Sequence, residues 1–274
     1  MSKHPLEPGS RPEFFYKYRA IATELEKCRL LRVIKENHIY HPSPPAFNDP
    51  FDCKMPPVAS LEPRFVRYLL AASKASNFQE HIDVNHRYVA TRQRSKDELN
   101  DINADLSPDE LTDFEVFKND IQERVDNASV LSFSVRCDSI LMWSHYTYNH
   151  TGICLKFSLK GWPTIGPSLY PVTYSEKRIP LALDENSFRD GQLVSAIALT
   201  KHRGWSYEEE WRLLGKAAGD YTFPPEALVG VIFGCMTSAA DKQWIAEAVK
   251  GNPHIVLYNT NVKRDDFALE IVPV

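Results

Sequence analysis

The residues of this chain with the clearest chemical potential lie in three short segments that are far apart in the sequence. Arg19 ends the run FFYKYR, Ser132 and Ser134 stand two residues apart in LSFS, and Glu208 and Glu210 belong to YEEEWR. Each run mixes polar side chains with large apolar ones, which is typical of a strand with one polar face. Side chains two residues apart on a strand point to the same side. The three runs therefore predict strands whose polar groups line one cleft.

Each of these residue types has a chemical use and a structural alternative. The guanidinium of Arg19 can hold a phosphate through its fork of N–H donors, and two serine hydroxyls can hold a ribose or an amide. Glu208 and Glu210 on one face repel each other unless a cation or the positive centre of a substrate lies between them. The alternative is a solvated strand edge, with the glutamates paired to Arg212 or Arg19 and with ordinary strand serines.

A fourth polar cluster lies in the run MWSHY, residues 142–146. His145 can act as an acid or a base, and Tyr146 can stack on a planar ligand. Core packing around a hydrogen-bonded histidine is the alternative. The sequence has no zinc signature, P-loop, dinucleotide-binding glycine motif or nucleophile elbow, which argues against P-loop kinases, Rossmann enzymes and α/β-hydrolases.

The composition is that of an ordinary globular protein. The chain has 274 residues, of which 43% are hydrophobic and 25% charged, and its net charge of -4 gives no general attraction to nucleic acid or anionic lipid. The 5 cysteines are dispersed and never form a C-x-x-C pair, which disfavours disulfides and thiolate zinc sites. There is no secretory signal and no run of about 18 apolar residues. We therefore expect a soluble cytoplasmic protein that has no membrane partner.

The elements of the first half follow from its local patterns. Residues 1–12 are polar and predict a flexible N-terminus, and a first strand is expected at 14–18. Thr23 and Glu26 have the spacing of a capping box, which predicts the start of a helix. Residues 61–128 read as a helical insertion.

Within that insertion, Leu69, Leu70, Phe78 and Ile82 suggest one helix. A second helix is expected to begin at the run SPDE, residues 107–110, which has a serine cap and a returning glutamate.

The second half is rich in short strand patterns without regular helix alternation. The predicted strands are 130–135, 152–159, 172–174, 207–214, 228–233, 255–258 and 268–272, and the predicted helices are 188–200 and 239–250. Such clustering favours an α+β fold over a doubly wound one. We predict a single α+β domain over residues 13–274, with a mixed, strongly bent β-sheet and the insertion at about 61–128.

Several blocks of the chain, in order, carry a resemblance to a known family. The blocks are FYKYR (15–19), FNDPFD (47–52), SFS (132–134), MWSHY (142–146) with Gly152, and YEEEWR (207–212). Their order from about residue 14 to 258 resembles the bacterial family catalogued as domain of unknown function 2971. That family name implies no activity.

A more distant resemblance does imply an activity. The order Arg19, Ser132-x-Ser134, Glu208-x-Glu210 is similar to that of toxin-like ADP-ribosyltransferases. The resemblance implies that Arg19 contacts the phosphate or ribose of NAD and that Ser132 and Ser134 support the nicotinamide-ribose pocket. It further implies that Glu210 stabilises the cationic sugar and that Glu208 orients the accepting nucleophile. An ADP-ribosyltransferase-like fold is then expected.

The resemblance thus implies an NAD-consuming enzyme, which transfers ADP-ribose to a protein or nucleic acid or hydrolyses NAD, as a bacterial toxin or defence effector. Tyr146 and His145 are further candidates for contacts with NAD, and an antitoxin or another partner protein is expected. Whether Glu209 rather than Glu210 faces the cleft stays open. Two alternatives also stay open. One is a non-enzymatic ligand-sensing or protein-interaction domain, and the other is a nuclease or hydrolase that uses carboxylates with Mg²⁺.

Overall fold

The computed structural model describes residues 11–91, 105–178, 180–183 and 196–274 and has the predicted α+β architecture with a large mixed sheet. The strands are β1 (Phe14–Arg19), β2 (His38–His41), β3 (Val58–Leu61), β4 (Ser129–Ser134), β5 (Ile153–Ser158), β6 (Leu169–Pro171), β7 (Thr173–Ser175), β8 (Leu181–Leu183), β9 (Thr200–His202), β10 (Glu210–Gly215), β11 (Gly219–Thr222), β12 (Leu228–Phe233), β13 (Val256–Val262) and β14 (Leu269–Pro273). The helices are α1 (Glu24–Glu36), α2 (Pro63–Ser73), α3 (Phe78–Thr91), α4 (Pro108–Asn127), α5 (Ile140–Tyr146) and α6 (Ala239–Val249).

The described residues form two compact units. The first is drawn from Met1–Ser43, Ala128–Tyr174 and Arg203–Val274, and the second from Pro44–Asn127 and Ser175–His202. The division into one domain with an insertion stays a prediction, as does the flexible N-terminus, whose first ten residues lie outside the described ranges.

An eight-stranded sheet forms the centre of the first unit. Its order is β14-β13-β12-β5-β1-β4-β10-β6, and only β12 and β13 are parallel neighbours. β1 pairs with β5 along its whole length, from Phe14 to Arg19, but it pairs with β4 at one position, Tyr16 opposite Ser134. The ladder between β1 and β4 is therefore almost absent, although the two strands are neighbours.

Helices cover both faces of this sheet. α1 and α6 pack against the face that carries Phe15, because their apolar residues Leu30 and Ile245 share one buried cluster with it. α5 packs against the opposite face, where Trp143 joins Tyr18 in a second cluster. Each large apolar side chain buried in this way contributes roughly 1.5–3 kcal/mol.

The helix starts that were predicted from capping patterns are confirmed. Thr23 and Glu26 form a reciprocal capping box at the start of α1, and Ser107 and Glu110 form one at the start of α4, with backbone-to-side-chain distances of 2.8 to 3.2 Å. Both pairs satisfy N–H groups that have no partner within the helix.

The second unit contains α2, α3 and α4, and these share a core of Phe65, Val66, Leu69, Leu70, Tyr88 and Phe114. The prediction of one helix from Leu69 to Ile82 is wrong, because α2 ends at Ser73 and α3 begins at Phe78. Asn77 explains the new start, since its side chain accepts a hydrogen bond from the Glu80 N–H at 3.0 Å. Most of the predicted helix at 188–200 lies outside the described residues.

Candidate functional site

The three strands that carry the polar runs are direct neighbours in the sheet, in the order β1-β4-β10. Ser134 lies opposite Tyr16 on one side and opposite Glu210 on the other. Residues that face each other across two strands point to the same side of the sheet, and Ser132 shares this side with Ser134. The structure therefore brings both serines and Glu210 to one face.

Arg19 points to the other face. It lies two residues from Lys17 and four from Phe15, which is buried under α1 and α6, and strand alternation places all three on one side. Burial, followed by the charge of Arg29 on α1, lowers the pKa of Arg19 to about 10. Among the described residues no carboxylate lies within ion-pair distance of its guanidinium. Arg19 is therefore not brought together with the serines and the glutamates.

The glutamate run does not form one continuous strand, so the prediction of a strand over 207–214 is wrong at its start. Glu208 ends a 3₁₀ helix (Arg203–Glu208), Glu209 adopts a left-handed conformation with φ 43°, and β10 begins at Glu210. Glu209 is exposed and forms an ion pair with Arg136 at 3.1 Å. The left-handed residue interrupts the alternation that was expected to align Glu208 with Glu210.

Glu210 is held by a buried arginine. Its two carboxylate oxygens accept hydrogen bonds from Nε and Nη2 of Arg212 at 2.8 and 3.1 Å, and the side chains are 4% and 0% exposed. The pair lies on one face because the residues are two apart on β10. The Glu210 N–H donates to the hydroxyl of Tyr174 at 2.9 Å. This geometry matches the structural alternative in which a glutamate of the run pairs with Arg212.

Glu208 is the second buried carboxylate, with 3% of its surface exposed. Tyr146 donates its hydroxyl proton to Oε1 of Glu208 at 2.5 Å. The Ser134 hydroxyl donates to the Glu208 carbonyl oxygen at 2.6 Å and accepts from the Arg136 N–H at 3.0 Å. Ser134 therefore fixes the backbone of Glu208, whereas the half-buried hydroxyl of Ser132 has no hydrogen-bond partner in the described part of the chain.

α5 brings His145 and Tyr146 to this junction. Ser139 caps the helix, and its side chain accepts from the Met142 N–H. The ring of His145 is exposed, and its Nδ1 lies 2.9 Å from the hydroxyl of Tyr207. Two adjacent residues of α5 thus contact Tyr207 and Glu208, two adjacent residues of the 3₁₀ helix.

We call this junction, formed by His145, Tyr146, Tyr207 and Glu208 beside Ser134, the Glu208 site. It combines a fixed carboxylate, aromatic rings and a solvent-exposed imidazole. Within the described ranges, no group of three or more His, Cys, Asp or Glu side chains is placed to hold a metal ion.

Sequence reasoning missed Lys17, whose Nζ donates to the carbonyl oxygen of Ser132 at 2.7 Å. Burial and then the charge of Arg19 lower the pKa of Lys17 to about 7, against the opposing effect of Glu210 and Glu208. A lysine between Tyr16 and Tyr18 on a strand with four aromatic residues was a signal that could have identified it.

Comparisons with known proteins give one family match. A family model described as "Protein of unknown function (DUF2971)" matches residues 142–213. A search of curated proteins and a search of solved structures each gave no match. In the described part of the chain, no helix has the length and hydropathy that crossing a membrane requires. Over residues 142–213, which include every residue of the Glu208 site except Ser134, this chain is similar to the DUF2971 family of unknown function.

Proposed function

We propose that the first unit binds NAD and breaks its nicotinamide–ribose bond, with transfer of ADP-ribose to a macromolecule or to water. The observation that supports this best is the Glu208 site, where a buried carboxylate is fixed beside the serine strand β4 and next to aromatic rings. The pairing of β4 with β10 is a second point in favour, because it makes the strand with the serines a direct neighbour of the strand that follows Glu208.

The catalytic role belongs to Glu208 in this proposal, and not to Glu210, because both oxygens of Glu210 are bonded to Arg212. Arg19 has no role at this site, because it lies on the other face of the sheet. Tyr146 orients the Glu208 carboxylate, and its ring with that of Tyr207 offers planar surfaces to the nicotinamide or adenine base.

The chemistry follows from the charge that develops on the sugar. The C1′–N bond breaks with its electron pair leaving on the nicotinamide nitrogen, which becomes neutral, and C1′ becomes an oxocarbenium-like cation. A carboxylate already fixed beside C1′ stabilises that charge. The acceptor then forms a bond to C1′ through its oxygen or nitrogen and loses a proton, which the exposed imidazole of His145 can take.

The test is nicotinamide release from NAD by purified protein, followed by chromatography. We expect Glu208→Gln to lower the rate by roughly 10² to 10³, the usual effect of removing one preorganised electrostatic contact. Glu209→Gln is the matched control, since Glu209 is exposed and paired with Arg136, and it should keep the wild-type rate. A folded wild-type protein that releases no nicotinamide with protein, nucleic acid or water as acceptor contradicts the proposal.

Binding without turnover is the second candidate, and the Glu210–Arg212 pair favours it. Glu210 and Arg212 bond to each other, and the hydroxyl of Ser134 bonds to backbone groups, which is how polar residues behave in a structural role. Calorimetric titration with NAD separates the two candidates. Saturable NAD binding by a folded wild-type protein that releases no nicotinamide identifies a sensor or interaction domain.

The biological setting belongs to the same proposal. An NAD-consuming effector of this kind acts in the bacterial cytoplasm, where NAD and its macromolecular acceptors are found, and needs an antitoxin or another partner to protect its producer.

A further inference from the structure

The edge of β4 that faces β1 is covered by a side chain and a loop. Next to the single pair of Tyr16 and Ser134, the Ser132 carbonyl oxygen accepts from Lys17 Nζ at 2.7 Å. Two residues earlier on β4, the Val130 N–H donates to the carbonyl oxygen of Pro42 at 2.9 Å. Alternate backbone groups of a strand point to the same edge, so Lys17 and the end of β2 lie along one side of β4.

His41, the last residue of β2, has a buried side chain in this region. It is 4% exposed, and its ring stacks on Tyr221 with centroids 4.2 Å apart. Neither of its ring nitrogens has a hydrogen-bond partner among the described residues. A buried imidazole whose nitrogens form no hydrogen bond is unfavourable. Such nitrogens normally bond to a protein group, a ligand, an ion or a water molecule.

A second unpartnered group lies beside the same ring stack. The hydroxyl of Ser129 is fully buried and also lacks a partner in the described ranges. A methyl group built on Gly215 would lie 2.3 Å from Ser129 Oγ and 3.9 Å from the hydroxyl of Tyr221. The Ser129 hydroxyl and the stack of His41 on Tyr221 are therefore neighbours at the start of β4.

The positive charge that acts on His41 is that of Lys17. Burial and the charge of Lys17 lower the pKa of His41 to about 4. Lys17 also feels the charge of Arg19 on β1, Glu208 and Glu210 on the opposite side, and Cys154 on β5. An oxyanion between Lys17 and His41 would accept hydrogen bonds from both groups and favour the protonated form of each.

We propose that Lys17, His41 and Ser129 bind the phosphate group of a small molecule beside the edge of β4 that faces β1. The three side chains offer an ammonium, an imidazole N–H and a hydroxyl, which match the several acceptor oxygens and the negative charge of phosphate. Lys17 is partly exposed, so the cluster lies close to the surface of the molecule at that residue. The site is separate from NAD cleavage and requires no turnover.

The test uses inorganic phosphate and AMP as probes, in chloride buffers of matched ionic strength, with isothermal titration and ¹⁵N chemical shifts of the His41 ring as readouts. Lys17→Met removes the ammonium and keeps most of the apolar stem. Lys156→Met is the matched control, because Lys156 is a partly buried lysine on β5 that packs over the rings of Phe14 and Tyr258.

We expect at least one of the two probes to bind the wild type and to shift the His41 ring signals. Lys17→Met should weaken that binding by roughly tenfold or more, as expected for a hydrogen bond to a charged group, whereas Lys156→Met should bind as the wild type does. If inorganic phosphate binds, the site takes the free ion; if AMP alone binds, it takes a phosphate ester.

The proposal is overturned if neither probe binds, or if both bind Lys17→Met as tightly as the wild type. Should Lys17→Met fail to fold, Ser129→Ala removes one small hydroxyl and must weaken binding in the same direction; unchanged binding overturns the proposal equally. If the wild-type protein releases nicotinamide but binds neither probe, the phosphate proposal alone has failed. If it binds a probe at this site but releases no nicotinamide, the proposal of NAD cleavage alone has failed.

Discussion

At the scale of residues, the buried carboxylates of the first unit have different partners and therefore different expected roles. Glu210 is matched by the full positive charge of Arg212, which is 0% exposed. Glu208 receives a phenolic hydrogen bond from Tyr146. Removing one member of a buried ion pair leaves the other charge uncompensated, which costs far more than the net gain from forming the pair. Stability and activity measurements on the same variants can therefore separate a structural glutamate from a catalytic one.

Glu210→Gln is expected to destabilise the protein by about 3–5 kcal/mol, because it removes the charged member of a buried ion pair with Arg212. Urea denaturation followed by circular dichroism measures this difference. Glu209→Gln is the control, since an exposed pair such as Glu209 with Arg136 contributes about 0–1 kcal/mol. Similar losses in the two variants would contradict a structural role for the Glu210–Arg212 pair.

Lys17 gives a prediction about pH. Its pKa of about 7 in the folded protein lies below the ordinary value of 10.5, through burial and Arg19, with Glu208, Glu210 and Cys154 acting in the opposite direction. Between these values the unfolded chain binds one more proton than the folded chain, so stability rises with pH. Below pH 7 the cost of the buried ammonium is fully present.

The free energy of unfolding of the wild type, minus that of Lys17→Met, should therefore increase from pH 7 to pH 9. The slope is at most about 1.4 kcal/mol per pH unit, reduced by the partial exposure of Lys17. Denaturant unfolding of both proteins at several pH values measures this difference, in which the other titrating groups cancel. A difference that is flat or falls with pH would show that Lys17 keeps an ordinary pKa.

At the scale of elements, helix starts that depend on nearby residues could be predicted from the sequence. The contacts that a strand residue makes with neighbouring strands could not. The starts of α1 and α4 follow from reciprocal caps within four residues, and both were predicted correctly. The faces of the polar residues depend on pleat and register. Arg19 was predicted to join Ser132, but it lies on the opposite face, and Lys17 contacts the backbone of Ser132 instead.

The glutamate run, residues 208–210, shows why predictions of side-chain direction fail. An uninterrupted strand would have aligned Glu208 with Glu210, but Glu209 adopts a positive φ that non-glycine residues rarely take. The conformation is fixed by distant groups. The Glu209 carbonyl accepts from the Val135 N–H, and the Glu208 carbonyl accepts from the hydroxyl of Ser134. The sequence near Glu209 contains no sign of these contacts, which come from a strand more than seventy residues earlier.

The cap of α1 is the element-scale test. Thr23→Ala removes the side-chain oxygen that accepts from the Glu26 N–H, and it should destabilise the protein by about 1 kcal/mol. Thermal and denaturant unfolding measure the loss. Thr112→Ala is the matched change inside α4, where the hydroxyl only bonds back to Pro108, and it should be neutral or slightly stabilising because alanine favours a helix. A cap variant as stable as this control would contradict the contribution assigned to the capping box.

At the scale of the whole molecule, the two ends of the eight-stranded sheet share one feature. β6 and β14 are the terminal strands in the sheet order, and each ends with a proline, Pro171 and Pro273. The N–H groups of Val172 and Val274 donate inward, to Glu210 and Leu257. Because successive N–H groups point to opposite edges, both prolines occupy positions whose N–H would point outward. Prolines at such positions prevent a sheet from continuing into a second molecule.

Pro273→Val should therefore increase self-association. The change restores an outward N–H on β14 and adds a residue with high strand propensity, so the terminal strand of one molecule can pair with that of another. Sedimentation velocity over a range of protein concentrations measures the effect, as a sedimentation coefficient that rises with concentration more steeply than in the wild type. Pro253→Val, at an exposed turn outside the sheet, is the control for the loss of a proline. If Pro273→Val and the control sediment alike, another feature of the molecule keeps the sheet edges apart.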